Sequence, residues 1–307
     1  MFKNPLLCPV LACVLAATIV FVGQSKADTI FVTGYDSNQV LQFASDGSST
    51  PFATSPLNGA NGIALDGSGD VFVSNAADNT ISKFTSNGTG SIFAPATPQS
   101  FFYQGLIFDS TGNLYAGNGD EYVEKFTPDG TSSVFADLGA GNSATAFAFN
   151  GAGDLFVSDE NEGNIFEVLP NGTVSLFTHV DGASFFGLAI NSSGDLFAAD
   201  YNDGNNGDGK IWEFSSNGTG SLFASGLSSP TGLAFESNGD LLEADYASNT
   251  IYSFTPNGTQ SVFASTGSTG SSFGPSFIAV APIPEPSGFA MVGLGVVSLV
   301  LGSRRRV

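Results

Sequence analysis

The residues that could do chemistry here are oxygen donors rather than nucleophiles. Asn75, Asn118, Asp159, Asp200 and Asp245 recur at intervals of 41 to 45 residues. Five such side chains at equivalent places could ring a metal ion, or each could accept backbone N–H bonds from its own turn. Repetition in every unit favours the turn reading. The stretch Asp200–Lys210 adds Asp203, Asn205 and Asp208 among glycines. Oxygen ligands on a tightly wrapping loop suit a weak calcium site at Asp200, Asp203 and Asp208. The spacing is not that of an EF-hand, and position 211 is Ile rather than Glu. A plain acidic loop is the alternative.

Glu243 stands where the other units carry Val32, Val73, Ala116, Val157 or Ala198. A carboxyl in an apolar column is either half-buried with a perturbed pKa, which flags function, or a tolerated edge substitution. His179 is the sole histidine and has no matched set of partners. Both cysteines, Cys8 and Cys13, fall within the first 27 residues, so the body offers no thiol and no disulfide. Neither a phosphate-binding Gly-Lys loop nor a Gly-x-Ser-x-Gly elbow occurs. The remaining candidates are aromatic: Phe101, Phe102 and Tyr103, then Phe185 and Phe186, then Phe273. Exposed rings stack on sugar faces, and amides such as Asn61 and Gln104 bond hydroxyls. Rings that plug a channel or cover strand junctions are the structural alternative.

These residues are placed by a repeat. Ser/Thr-x-Phe-small recurs six times, at Thr50, Ser91, Ser133, Ser175, Ser221 and Ser261. Each copy follows an Asp-Gly or Asn-Gly pair, which adopts the positive φ of a tight hairpin. Four pairs continue as Asn-Gly-Thr, formally a glycosylation sequon, but their repetition at turns favours the hairpin reading. Every unit has room for two earlier strands, as in Gly62-Ile-Ala-Leu-Asp and then Val71-Phe-Val, and a third such as Ile81-Ser-Lys-Phe. Four short strands per unit predict one propeller blade. The chain starts mid-unit at Ile30 and ends on Ser276-Phe-Ile-Ala-Val, the strand missing at the start. The expected fold is therefore an all-β, six-bladed β-propeller of four-stranded blades. Its ring closes by pairing a last strand at about 276–281 with the N-terminal strands.

The pattern Gly-hydrophobic-Ala-hydrophobic-Asp/Asn, a glycine turn, then Leu-Phe-small-x-Asp, as in Gly187 to Asp200, resembles the NHL-repeat and gluconolactonase-like propellers. The resemblance covers about residues 29–281 and speaks to fold more than function. It implies a divalent metal at the channel mouth, with acidic and amide ligands and a base carboxylate just before each first-strand glycine. Those positions here hold Asn61, Gln104, Thr145, Phe186, Thr231 and Ser276. Two amides without a carboxylate bind a hard ion poorly and supply no base. In the related streptogramin lyases a catalytic histidine works beside metal-binding carboxylates, and nothing around His179 reproduces that. No firm cofactor is expected, calcium in the Asp200 loop excepted.

Residues 1–27 read as a secretory signal: Lys3, an apolar run from Leu6 to Val22, and small residues at Ser25 and Ala27, with cleavage after Ala27. Residues 28–282 are the propeller. Residues 283–307 contain Pro284-Glu285-Pro286, an uncharged stretch from Ser287 to Ser303, and Arg304-Arg305-Arg306. That tail resembles the PEP-CTERM sorting signal, which implies transient membrane insertion and removal by an exosortase. The body holds 27 acids against Lys83, Lys125 and Lys210. Such a surface repels nucleic acid and favours solubility. The expectation is an exported monomer of the envelope or extracellular matrix, binding rather than catalytic, with polysaccharide as its partner. A divergent metal-dependent lactonase using Asn61, Gln104 and Glu243 is the alternative.

Overall fold

The structure is a computed structural model and describes residues 28–96, 103–201, 208–266 and 274–281. Its strands form six four-stranded antiparallel sheets, the blades of a propeller, with no helix among the described residues. Blade 1 combines residues 29–53 with 275–281; blades 2 to 6 span 60–94, 106–137, 147–179, 185–227 and 230–265. Pro275–Ala281 pairs with Thr29–Gly34 in the register Ile30↔Val280, Phe31↔Ala279 and Val32↔Ile278. The ring is thus closed by hydrogen bonds between the two ends of the chain, and no blade is left incomplete.

Alternation of side chains across each strand puts apolar residues on both blade faces, so the core is six interblade layers rather than one centre. Between blades 2 and 3, for example, Phe72, Ile81, Leu114 and Phe126 pack together, all almost fully buried. The aromatic residue that recurs in the second strand of five blades makes edge-to-face ring contacts, some of them from blade to blade, as at Phe72–Phe108 (4.9 Å) and Phe197–Phe235 (5.2 Å).

Two glycine positions show why the repeat is spelled as it is. The hairpin glycine Gly88 has φ +81°, and a Cβ there would lie 2.7 Å from the carbonyl oxygen of Phe52 in the preceding blade. The first-strand glycine Gly105 lies near the axis, where strands crowd, and a Cβ would stand 2.6 Å from the Thr145 carbonyl oxygen. In every blade the pairing of third and fourth strands slips at a matching place, as at Ile81/Ser82, Ile165/Phe166 and Ile251/Tyr252, and in blade 5 also at Gly209/Lys210. Such bulges twist the outermost strand and blunt its open edge against pairing with other chains.

Candidate functional site

First strands start, and second strands end, on the same face of the ring. Five of the six residues before the first-strand glycine or its equivalent, Asn61, Gln104, Phe186, Thr231 and Ser276, line one cavity of about 330 Å³ at the channel mouth. The sixth, Thr145, is fully buried and turns its hydroxyl to the Ser143 carbonyl (3.2 Å). A second tier comes from residues one or two places after the second strands: Tyr35, Ala76, Glu160, Tyr201 and Tyr246.

Hydroxyls at the ends of second strands hold this rim in place. Ser74 donates to the Gln104 carbonyl of the next blade (2.6 Å) and accepts from the Gly62 N–H (2.7 Å). Ser158 does the same for Phe186 (2.6 Å) and Ala146 (3.0 Å). Thr33 donates to the Asn61 carbonyl. In these three blades a hydroxyl thus sets the first strand of the next blade, and a mouth residue is fixed by a residue about 30 positions earlier in the chain.

The side chains then divide the cavity. Gln104 Nε2 donates to Glu160 Oε1 (2.9 Å), and Ser143 Oγ approaches the same oxygen at 3.4 Å. Burial pushes the Glu160 carboxyl above the usual range, Asp159 adds to that, and the bonds from Gln104 and Ser143 oppose it. The Glu160 backbone is itself pinned, its carbonyl accepting from Ser184 Oγ (2.7 Å). Ser276 Oγ donates to Asn61 Oδ1 (2.6 Å). On the aromatic side Phe186 and Tyr201 lie 4.8 Å apart, tilted by 36°. The Tyr246 hydroxyl donates to Asp36 (3.0 Å), and burial together with that bond holds its pKa at about 12.

Glu160 corrects the expectation of a mouth without a carboxylate. As much as on the column before the first-strand glycine, the rim draws on the column after each second strand. Tyr35, Tyr201 and Tyr246 share that column, and their recurrence was the available signal. Tyr103 is also corrected. It is fully buried, its hydroxyl 3.0 Å from Glu124 Oε2 and its ring edge-on to Phe126, so it belongs to the core. Glu243 is fully buried rather than half-buried, does not line the mouth, and neither carboxyl oxygen has a hydrogen-bond partner. Burial, then the charge of Asp245, raises its pKa well above the ordinary carboxylate range.

The recurring Asn/Asp residues act as clamps. Asp159 Oδ1 accepts from the Ser143 and Asn161 N–H groups (2.9 and 3.0 Å); Asp245 accepts from Ser228, Ser229 and Ser248 (2.7, 3.2 and 3.1 Å). Asp200, expected as a calcium ligand, accepts from Ser184 N–H (3.0 Å) and Trp212 Nε1 (3.2 Å). Asp208 is exposed. Asp203, Phe102, Ala27, the Pro284-Glu285-Pro286 motif and Arg304 to Arg306 lie outside the described residues. His179 is away from the mouth, its ring bonded to Asn164 and Asp181, both at 2.9 Å.

A divalent ion does not fit this donor set. One carboxyl, already accepting from Gln104, and two amides already engaged in hydrogen bonds provide little of the charge that hard cations require. Among the described residues no three His, Cys, Asp or Glu side chains come close enough to hold a metal.

No protein-family model matches the chain, and no curated protein matches it. Solved structures do. Virginiamycin B lyase from Staphylococcus aureus superposes with a TM-score of 0.62 at 15% identity, covering 83% of this chain and 89% of the lyase. A chain of a nidogen/laminin complex gives 0.70 at 14%, covering 83% and 98%. A gluconolactonase from Xanthomonas campestris gives 0.56 at 14%, covering 77% and 84%. The likeness is one of fold. A lyase, a gluconolactonase and a chain of a nidogen/laminin complex share this architecture, so activity must be argued from the mouth.

Proposed function

We propose that the channel mouth binds a neutral polyhydroxylated ligand, a sugar unit of an extracellular polysaccharide, and that the protein is a non-catalytic binding propeller. The observation that carries this reading is the division of one cavity into a ring wall and a hydroxyl-bonding wall. Phe186 and Tyr201 offer a tilted aromatic surface, while Gln104, Glu160, Asn61, Thr231 and Ser276 offer donors and acceptors. Aromatic faces stack on the C–H face of a pyranose, and a mostly neutral polar set bonds hydroxyls without demanding a charged ligand. The cavity suits a drug-sized ligand or a short oligosaccharide end.

The test is calorimetric titration of the full chain with a panel of oligosaccharides. A saturable partner should emerge, and Tyr201→Ala and Gln104→Ala should each weaken it by roughly tenfold, about 1.4 kcal/mol. Binding that survives both substitutions would place the ligand elsewhere.

A second reading rests on Glu160. A carboxyl with a raised pKa at the mouth is a candidate general base for opening a small lactone. Glu160 would accept a proton from water as that water adds to the carbonyl, and would return it to the ring oxygen as the C–O bond breaks. Turnover of a sugar lactone, abolished in Glu160→Gln, would establish this reading over simple binding.

The proposed setting is extracellular. The segment before Asp28 and the Pro-Glu-Pro tail support export, transient membrane insertion and exosortase processing to a free monomer. Mass spectrometry of the protein from its host should find Asp28 as the first residue and the tail removed.

A further inference from the structure

Two blades contain a seat for an ammonium group. In blade 2 the Lys83 Nζ lies 5.0 Å from the centroid of the Phe72 ring and 2.9 Å from Asp70 Oδ2. Blade 3 repeats the arrangement with Lys125, 5.1 Å over Tyr115 and 3.8 Å from Asp109 Oδ2. The strand register sets each lysine directly opposite its ring, Phe72↔Lys83 and Tyr115↔Lys125. An aromatic floor and a carboxylate wall together favour a cation, the ring through its negative face.

The floor is a set of three rings. Phe72 meets Phe93 and Phe108 edge-on at 5.0 and 4.9 Å; Tyr115 meets Phe135 and Phe149 at 5.0 and 5.5 Å. Blade 5 rebuilds the set with Phe197, Phe223 and Phe235, at 5.0 and 5.2 Å. There, however, the residue opposite the central ring is Glu213, in the register Phe197↔Glu213. No ion pair among the described residues involves Glu213 or Glu236. Instead of a lysine there is a cavity of about 400 Å³ between blades 5 and 6. Phe197, Phe223, Phe235 and Phe254 form its apolar wall, and Glu213 and Glu236 lie beside it. Burial first, then Asp28 and Asp240, raises the Glu236 pKa, a cost that an arriving cation would relieve. Blade 4 also has a carboxylate opposite its ring, Phe156↔Glu167, but Ile190 stands where the third ring would be.

We propose that the cleft between blades 5 and 6 seats a primary alkylammonium group supplied from outside the chain, with Phe197 as its floor and Glu213 and Glu236 as its counter-charges. The chain supplies its own ammonium in blades 2 and 3; in blade 5 it keeps the floor and exchanges the lysine for a second acid. The apolar wall accommodates the alkyl stem, and the excess of acids over bases in the body draws cations toward it. A free amine and the lysine side chain of another polypeptide present the same chemistry. This site lies apart from the channel mouth and does not depend on how the mouth is read.

The test is calorimetric titration of the full chain, in non-ionic detergent, with butylammonium chloride and with Nα-acetyl-lysine methylamide, against sodium chloride at matched ionic strength. Saturable binding of at least one amine is expected. Glu213→Gln should weaken it by roughly tenfold, the effect of losing one charge-assisted contact. Glu213→Lys should abolish it by placing the chain's own ammonium in the seat, as in blades 2 and 3. Glu167→Lys makes the same charge change in blade 4 and should leave affinity within about twofold. Tighter binding of the lysine amide supports a polypeptide side chain as occupant, and tighter binding of butylammonium supports a free amine. Absence of saturable binding to either amine overturns the proposal. So does an equal loss in Glu167→Lys, which would reduce the effect to bulk charge. If Glu213→Lys fails to fold, undiminished binding in Glu213→Gln overturns it by itself.

Discussion

Replacing Glu243 by Val should stabilise the propeller, and the gain should grow with pH. Val32, Val73 and Val157 occupy the equivalent place in other blades and are fully buried there, so the position accepts the shape. Glu243 instead brings two carboxyl oxygens without partners between Leu233 and Tyr252 on its neighbouring strands. An unsatisfied buried polar group costs about 1–3 kcal/mol, and the smaller valine returns part of that as imperfect packing. A gain of about 2 kcal/mol is expected at pH 4, or roughly 4–8 °C in Tm for a domain of this size. The sign of the pH effect follows from the raised pKa. Below pH 4.5, the group's ordinary value, folded and unfolded chains both hold the proton. Above it the unfolded chain ionises while the folded chain does not, so folding must take up a proton. Wild-type stability therefore falls by about 1.4 kcal/mol per pH unit until the buried group ionises as well. Urea unfolding of wild type and Glu243→Val at pH 4, 5, 6 and 7 measures this directly, since the difference between the two cancels every other titrating group. A difference that stays flat with pH, or a variant less stable than wild type at pH 7, would refute the reasoning.

Other substitutions test the frame that builds the mouth. Asp245→Ala removes the acceptor of three backbone N–H groups, two of them from Ser228 and Ser229 in the turn before the last blade's first strand. It should cost about 2–4 kcal/mol in urea unfolding. Ser158→Ala leaves the Phe186 carbonyl without its donor from the preceding blade and should cost about 1–2 kcal/mol. It should also weaken oligosaccharide binding, whereas a purely local effect would leave binding intact. Millimolar calcium, manganese or zinc should leave the Tm of the chelator-treated full chain unchanged, because the mouth donors are too weakly charged. A shift of several degrees would show a metal site and return the hydrolase reading to first place.

Blade number, hairpin positions and ring closure were legible in the residue order. So were the bonds of Asp159 and Asp245 to their own following turns at Asn161 and Ser248, but not their bonds to the connections before the first strands at Ser143, Ser228 and Ser229. Each legible feature depends on contacts within one repeat or on a strand absent at one end and present at the other, and repetition reports such rules six times over. The column from Asn61 to Ser276 was placed at the channel mouth by the resemblance to gluconolactonase-like propellers, and five of its six residues line the cavity. What tertiary structure decided is how neighbouring blades meet. Glu160 reaches Gln104 from a position 56 residues away, and Tyr103 swings from its connection into the core to meet Glu124. Glu243 is fully buried, with no partner for either carboxyl oxygen. Strand periodicity tells which face a side chain takes; whether that face meets solvent, a channel or another sheet depends on the radial angle at which separate blades pack, and no local pattern encodes it.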